Sequence, residues 1–385
     1  MDRRTATATL PGILAAALFT AGCGDAVSPA GHNPRAPQFA AASGTGITLD
    51  QANGSLSVGT PYGSGTHIGK GFDPTNPHHG DAIVATFFWV GSTNVITTVT
   101  DHLADAPQTP VGNTYTLVDY VTSGGISMAT YVATNVQGFP DPNTDPGQVL
   151  AVHALTSTPV RDGGVQLTAY SGVEAVTAQA LGAHLSAVGA GSSITTADPG
   201  AIALGAGALA HAVTMTNGLT GFTPPPGFTD IGMGSDSLMV IDGEYTVQAS
   251  AGTVDPQWTW YFSSPSTWLA TVFALNPAVT HLVFTVQPST TLPLRPITPP
   301  VGVTAVDDLG NTVAAFTGPV TIAIAHNGGL LLPGTLSGTK TVTMVNGVAT
   351  FSDLSIDQLG NGYTLQVTAA GATGAESAAF NVGLF

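Results

Sequence analysis

Cysteine is nearly absent from the chain: Cys23 is the only one. A single thiol excludes a disulfide framework and any site built on several thiolates, so the domains must be stable through their cores alone. Positive charge is almost as scarce. Seven Lys and Arg stand against 23 Asp and Glu, a net charge of −16. Affinity for a phosphate backbone rests on Lys and Arg, which excludes nucleic acid as a partner and disfavours an anionic lipid surface. Charge of either sign is low, at 8% of residues, against about 25% in ordinary soluble domains. Disorder does not follow, because 43% of the residues are hydrophobic and disordered chains have few of them. Catalytic signatures are missing as well. No Gly-x-Ser-x-Gly elbow, phosphate loop or His-Glu-x-x-His occurs. The three glutamates, Glu174, Glu244 and Glu376, are read as having no local aspartate partner. A non-enzymatic protein is expected, without a cofactor.

What the chain has instead is Thr and Val punctuated by 48 Gly and 27 Pro. Short strands bounded by turn residues argue for all-β sandwiches.

The solitary cysteine stands at an informative place. Arg3 and Arg4 precede an apolar run, Leu10 to Thr20, which is too short to span a bilayer and suits the h-region of an export signal. Thr20-Ala21-Gly22-Cys23 resembles a bacterial lipobox, with Thr20 where that motif usually carries Leu. The resemblance implies that residues 1–22 are a lipoprotein signal peptide and that Cys23 is acylated, tethering an exported protein to the cell envelope. Residues 23–44, with Pro29, Pro34 and Pro37, read as a flexible tether. About twenty such residues reach roughly 25 Å root-mean-square, enough to stand a domain off a membrane.

Residues 45–277 form the first domain by this reading. Gly80 to Val90 is a turn followed by a nearly continuous apolar run, which suits a strand buried on both faces. Trp258, Trp260 and Phe262 recur at a period of two and so share one face, as core or as a platform for sugar rings. Three segments have later echoes. Gly80–Ala85 is answered by Pro199–Leu204, Gly112–Leu117 by Pro226–Ile231, and Leu167–Val173 by Val272–Leu275. Two similar strand series folded together are what a jelly roll requires. Gly80–Ala85, Val99–Asp101 with Gly112–Thr116, Tyr170–Val173 and Trp268–Pro277 resemble a jelly-roll module of bacterial extracellular proteins. That resemblance implies a lectin-like sandwich and transfers no catalytic residue. His102 to Val111 departs from it as an insertion.

Two polar stretches are candidates for ligands. Asp141, Asn143 and Asp145 place three oxygen side chains at alternate positions, as calcium loops do, although residues flanking prolines are also ordinary turn formers. Asp73, Asn76, His78, His79 and Asp81 form the densest polar cluster. Adjacent histidines on an extended chain point to opposite faces, so a polar loop before a buried strand is the expectation there.

From residue 278 to 385 short strands follow one another at regular spacing. Asn346-Gly347 is a strong hairpin signal because both turn positions tolerate positive φ. About seven strands in this length argue for an immunoglobulin-like sandwich. Leu282–Pro288, Val303–Asn311, Gly334–Gly338, Asn346–Ile356 and Gly362–Leu365 resemble a bacterial immunoglobulin-like repeat of surface proteins, which implies a spacer or adhesive module. The sequence therefore leads to an all-β chain, a jelly-roll sandwich followed by a smaller immunoglobulin-like one. The expected role is a non-enzymatic one at the cell surface, binding glycans or other surface proteins. A purely architectural envelope protein and, third, a glycan hydrolase on the jelly roll are the alternatives.

Overall fold

The computed structural model describes residues 46–383 except 59–64, 143–145, 161, 191–195, 219–220, 236–237 and 261–266. Its architecture is all-β and made of sandwiches. The first eight strands are β1 (Thr48–Val58), β2 (Gly65–Gly71), β3 (Ala82–Val90), β4 (Ile96–Leu103), β5 (Thr116–Ser123), β6 (Ile126–Ala133), β7 (Leu150–Val160) and β8 (Asp162–Ser171). They wrap as nested antiparallel pairs, β1 with β8, β2 with β7 and β3 with β6. That nesting is the jelly-roll wrap. It yields a five-stranded sheet, β1-β8-β3-β6-β5, facing a three-stranded one, β2-β7-β4. Ile83, Ala85, Phe87 and Trp89 of β3 meet Ile68, Val152 and Ala154 of the opposite sheet in one core. Gly124 and Gly125, both at positive φ, close the β5–β6 hairpin, a turn whose twist matches the strands it joins.

A one-turn helix, Thr177–Ala180, leads to a second series. This comprises β9 (Leu181–Ala190), β10 (Thr196–Ala197), β11 (Ile202–Leu204), β12 (Leu209–Thr216), β13 (Phe222–Thr223), β14 (Thr229–Ser235), β15 (Val240–Val247), β16 (Gly252–Val254), β17 (Trp258–Trp260) and β18 (Thr267–Leu275). The same nesting returns: β9 pairs β18, β10 pairs β17, β11 pairs β16, and β12 pairs β15. The sheet β14-β15-β12-β18-β9 repeats the first five-stranded sheet strand for strand. Two of the echoes read in the sequence, those at Pro226–Ile231 and Val272–Leu275, fall on equivalent strands, β14 for β5 and β18 for β8. The third does not, because Pro199–Leu204 leads into β11, whereas the counterpart of β3 is β12.

The two strand series therefore make two sandwiches, or lobes. Their five-stranded sheets stack, β1 beside β14 and β5 beside β9, an approximate twofold arrangement. Val84, Val132, Tyr170, Leu209, Phe273 and Leu275 pack between them at one end, and Phe88, Met128, Val213, Ile241 and Leu269 at the other. Both large sheets are thus covered on both faces. This is why β12 and β18 are buried along their whole length and β3 along all but its last residue. Polar bonds also cross the layer. Tyr170 Oη and His211 Nδ1 lie 2.9 Å apart, and Gln166 Nε2 donates to the Gly232 carbonyl at 2.8 Å. Gly243 makes room for this amide, since a methyl there would stand 2.1 Å from Gln166 Oε1.

The remaining strands are β19 (His281–Val286), β20 (Val301–Val306), β21 (Pro319–His326), β22 (Leu336–Ser337), β23 (Thr341–Thr343), β24 (Val348–Phe351), β25 (Ser355–Ile356), β26 (Gly360–Ala369), β27 (Ala372–Glu376) and β28 (Phe380–Val382). β19, β20 and β24 form one side, β23, β21, β26 and β28 the other, and β27 touches both. Val303, Ala305, Val320, Ile322, Phe351, Tyr363 and Leu365 fill the space between. Asn346 and Gly347 do make a tight turn at positive φ. It closes a two-residue hairpin through one antiparallel bridge, Val345 with Val348, whose backbones exchange bonds of 2.9 and 3.1 Å. The ladder stops there: β23 pairs β21 and β24 pairs β20, on opposite sides of the sandwich. The two flanking segments serve different sheets, so local turn chemistry could not report their partners.

This sandwich abuts the second lobe. Asp307 is buried, accepts from the backbone of Leu309 and Asn311 at 2.9 and 2.8 Å, and would stand 2.5 Å from a methyl at Gly207. Among the described residues, no helix is long and apolar enough to cross a membrane.

Candidate functional site

The densest chemistry lies at one corner of the first lobe. Asp50 sits at a bulge of β1, and Asp81 stands immediately before β3. Both carboxylates are buried, at 4% and 2% exposure. His78 closes the loop between them: its Nδ1 lies 2.8 Å from Asp50 Oδ2, and its backbone N–H donates to Asp81 Oδ2 at 2.8 Å. One ligand atom from each of the three lies within 4.8 Å of the others.

Asn76 pins this loop. Its amide donates to the carbonyls of Pro140 and Gln148 at 2.8 and 2.7 Å and accepts from Leu150 N at 2.9 Å. Its backbone N–H donates to Asp141 Oδ1 at 3.1 Å. The loops approach closely, for a methyl at Gly138 would stand 2.2 Å from His79 N. The hydrogen bond to Asp50 raises the His78 pKa, against a smaller opposing effect of burial. Burial, then the hydrogen bond and charge of Asp50, push Asp81 up to about 8. The corner thus holds two buried carboxylates and an imidazole whose side chain is 58% exposed. Chemically it can retain a proton near neutrality or offer a nitrogen and two oxygens to a cation.

A second acidic cluster lies in the second lobe. Asp242 and Glu244 alternate along β15 and both point inward, where Trp258 Nε1 donates to Asp242 Oδ2 at 3.0 Å. Asp230, exposed on the edge strand β14, stands opposite Glu244. Burial raises both inner carboxyls, Asp242 to about 10 and Glu244 to about 7, with the neighbouring anions adding to it. Neither Glu244 oxygen receives an N–H or hydroxyl donor, so a proton shared with Asp242 is what the pair can use. This corrects the reading that no glutamate has an aspartate beside it. Residues 242 and 244 share a face because a strand alternates, and that period was the signal available in the sequence.

The structure joins two stretches that the sequence treats apart: Asp141 belongs with Asn76, His78 and Asp81. Asn143 and Asp145, the other candidate calcium ligands, lie outside the described residues, as does Cys23. Asp50 had no sequence signal, since it lies 28 residues from His78 on an unremarkable strand. Trp258 and Trp260 are core, at 0% and 6% exposure, and Phe262 lies outside the described residues. A row of three histidines crosses the outer face of β2-β7-β4, with ring centroids 5.9 Å apart for His67 and His153 and 4.8 Å for His102 and His153. The register steps diagonally, His67 beside Leu155 and His102 beside Ala151, so the outer two are spread to either side of His153. No protein-family model matches the chain, and no curated protein matches it either.

Proposed function

We propose that this is an exported, lipid-anchored envelope protein whose stacked pair of sandwiches is a non-enzymatic binding module. The immunoglobulin-like sandwich serves it as a spacer. The carrying observation is the placement of the one cysteine, directly behind an export-type apolar run and ahead of a proline-rich tether. The ligand class we favour is a surface glycan or a surface protein, met through polar groups such as those around His78. Ring stacking draws no support from the described residues, among which no Phe, Tyr or Trp side chain is exposed. That same burial favours an architectural role as the second reading.

Hydrolysis draws no support either. Glycosidase carboxyls stand roughly 5–9 Å apart around their substrate, whereas Asp242 and Glu244 are both buried in the core, with a carboxyl oxygen of each within 4.8 Å of the other. Two measurements test the proposal. Cys23→Ser should abolish palmitate incorporation and release the protein from membranes; unchanged labelling would refute the anchor. A glycan array probed with the full chain should show retained sugars, and a blank array together with no surface-protein capture would leave the architectural reading.

A further inference from the structure

We infer that the corner formed by Asp50, His78 and Asp81 is a binding site for a divalent late first-row cation, with Zn2+ as its natural occupant. The inference stands independently of the anchor and of the glycan reading.

The first ground is geometry. Neighbouring ligands on a tetrahedral Zn2+ with bonds of about 2.1 Å lie about 3.4 Å apart. Here one atom of each residue already falls within 4.8 Å of the other two. The closest pair, His78 Nδ1 and Asp50 Oδ2, stands at 2.8 Å and needs to open by only about half an ångström. A cation would replace the proton that now bridges them.

Charge is the second ground. Asp50 and Asp81 are both more than nine-tenths buried, and the charged groups that act on Asp81 are another carboxylate and His78. Two carboxylates taken out of water side by side need positive charge, and here no Lys or Arg guanidinium or ammonium is among the groups acting on Asp81.

Rigidity and ligand type complete the case. The His78 backbone N–H orients Asp81, and Asn76 fixes the loop to residues 140, 148 and 150. Outer contacts of this sort hold metal ligands in place. Two carboxylates and one imidazole suit Zn2+ better than Ca2+, which takes six to eight oxygens. With His78 more than half exposed, a fourth position faces solvent and is open to water or to a ligand group.

The test is titration of the purified full chain, carrying Cys23→Ser so that no thiol competes, with ZnCl2 and with CaCl2. Calorimetry should give one Zn2+ per chain, with a rise in Tm, and no comparable calcium response. Asp81→Asn and His78→Ala should each weaken zinc binding about tenfold or more. Asp81→Asn replaces a buried carboxyl that keeps its proton near neutrality with an amide that can still accept from the His78 backbone N–H. It should therefore fold like the parent, and its loss of binding would not reflect unfolding. His153→Ala and Asp242→Asn should bind like the parent. Zinc binding that survives Asp81→Asn, that is lost with His153→Ala or Asp242→Asn instead, or that is absent at millimolar ZnCl2 would overturn the assignment. So would a calcium response abolished by Asp141→Ala in a chain indifferent to zinc.

Discussion

The two lobes share a strand wrap but not a way of filling it. In the first lobe the central strand β3 supplies much of the bulk, through Ile83, Phe87 and Trp89, against Ile68, Val152 and Ala154 of the small sheet. In the second its counterpart β12 turns Ala210 and Ala212 inward, and the rings come from neighbouring strands, as Trp258 and Trp260 of β17 and Trp268 at the start of β18. Interior volume is kept while its source moves from the central strand to the strands around it, as dense packing requires. The acids differ too. The first lobe keeps Asp50 and Asp81 at a rim that opens through His78, whereas the second encloses Asp242 and Glu244 beneath Trp258. A wrap satisfied by either filling does not dictate acids in either place, so the acids are the part the fold leaves to function.

The largest effect should come from removing the ring that fills the second lobe. Trp258→Ala is expected to cost about 3–5 kcal/mol, since it opens a cavity and also strips Asp242 of its indole donor. Because the large sheets share a buried layer, chemical denaturation of the variant should still show one transition for both lobes. Two separated transitions, with the first lobe unaffected, would break the picture of the lobes as one cooperative unit.

How much of this was legible follows from where the information lies. β3 and β18 could be read directly, because burial on both faces leaves a nearly continuous apolar run, broken only by threonines, at Ala82–Val90 and Thr267–Leu275. The duplication was visible where turn and strand signals coincide, at β5 with β14 and β8 with β18. It was misplaced at β3, where Pro199–Leu204 mimics Gly80–Ala85 in composition while serving a different sheet. The corner was half legible. His78 and Asp81 stand in one polar loop, but Asp50 arrives only through the pairing of β1 with β8 and of β8 with β3, which is long-range information. Asp242 and Glu244 were within reach of a period-two reading, once β15 was taken as a strand.

The two acidic sites should respond to pH in the same direction and to different extents. Asp242 and Glu244 have folded pKa values raised to about 10 and about 7. The folded state therefore keeps protons that the unfolded chain gives up near pH 4, and stability falls as pH rises from there through the folded values. Asp81, raised to about 8, acts the same way. His78, also raised, adds stability at low pH that fades as its imidazole deprotonates. Thermal melts between pH 5 and 9 should show a declining Tm. Asp242→Asn should flatten that decline and stabilise the protein at pH 8 by roughly 1–3 kcal/mol, since the amide can still accept from Trp258. Asp81→Asn should flatten it less. A Tm that rises with pH, or equal slopes in parent and variants, would mean that these carboxyls ionise without cost.

The smallest effect concerns the seam between the lobes. Tyr170 and His211, each buried, meet across it at 2.9 Å. Burial lowers the His211 pKa to about 3, so the imidazole is neutral at every pH where the protein is handled. The bond is then an ordinary neutral one, worth about 0.5–1.5 kcal/mol. Tyr170→Phe, His211→Phe and the double variant form a cycle whose coupling energy should fall in that range. Because neither group titrates in the window, the coupling should be the same at pH 5 and pH 8, in contrast to the pH-dependent effects of Asp242 and Asp81. A coupling that strengthens toward acid would mean that His211 is protonated in the seam. The interface between the lobes would then carry a charge that its apolar surroundings, Phe273 and Tyr245 among them, are built to exclude.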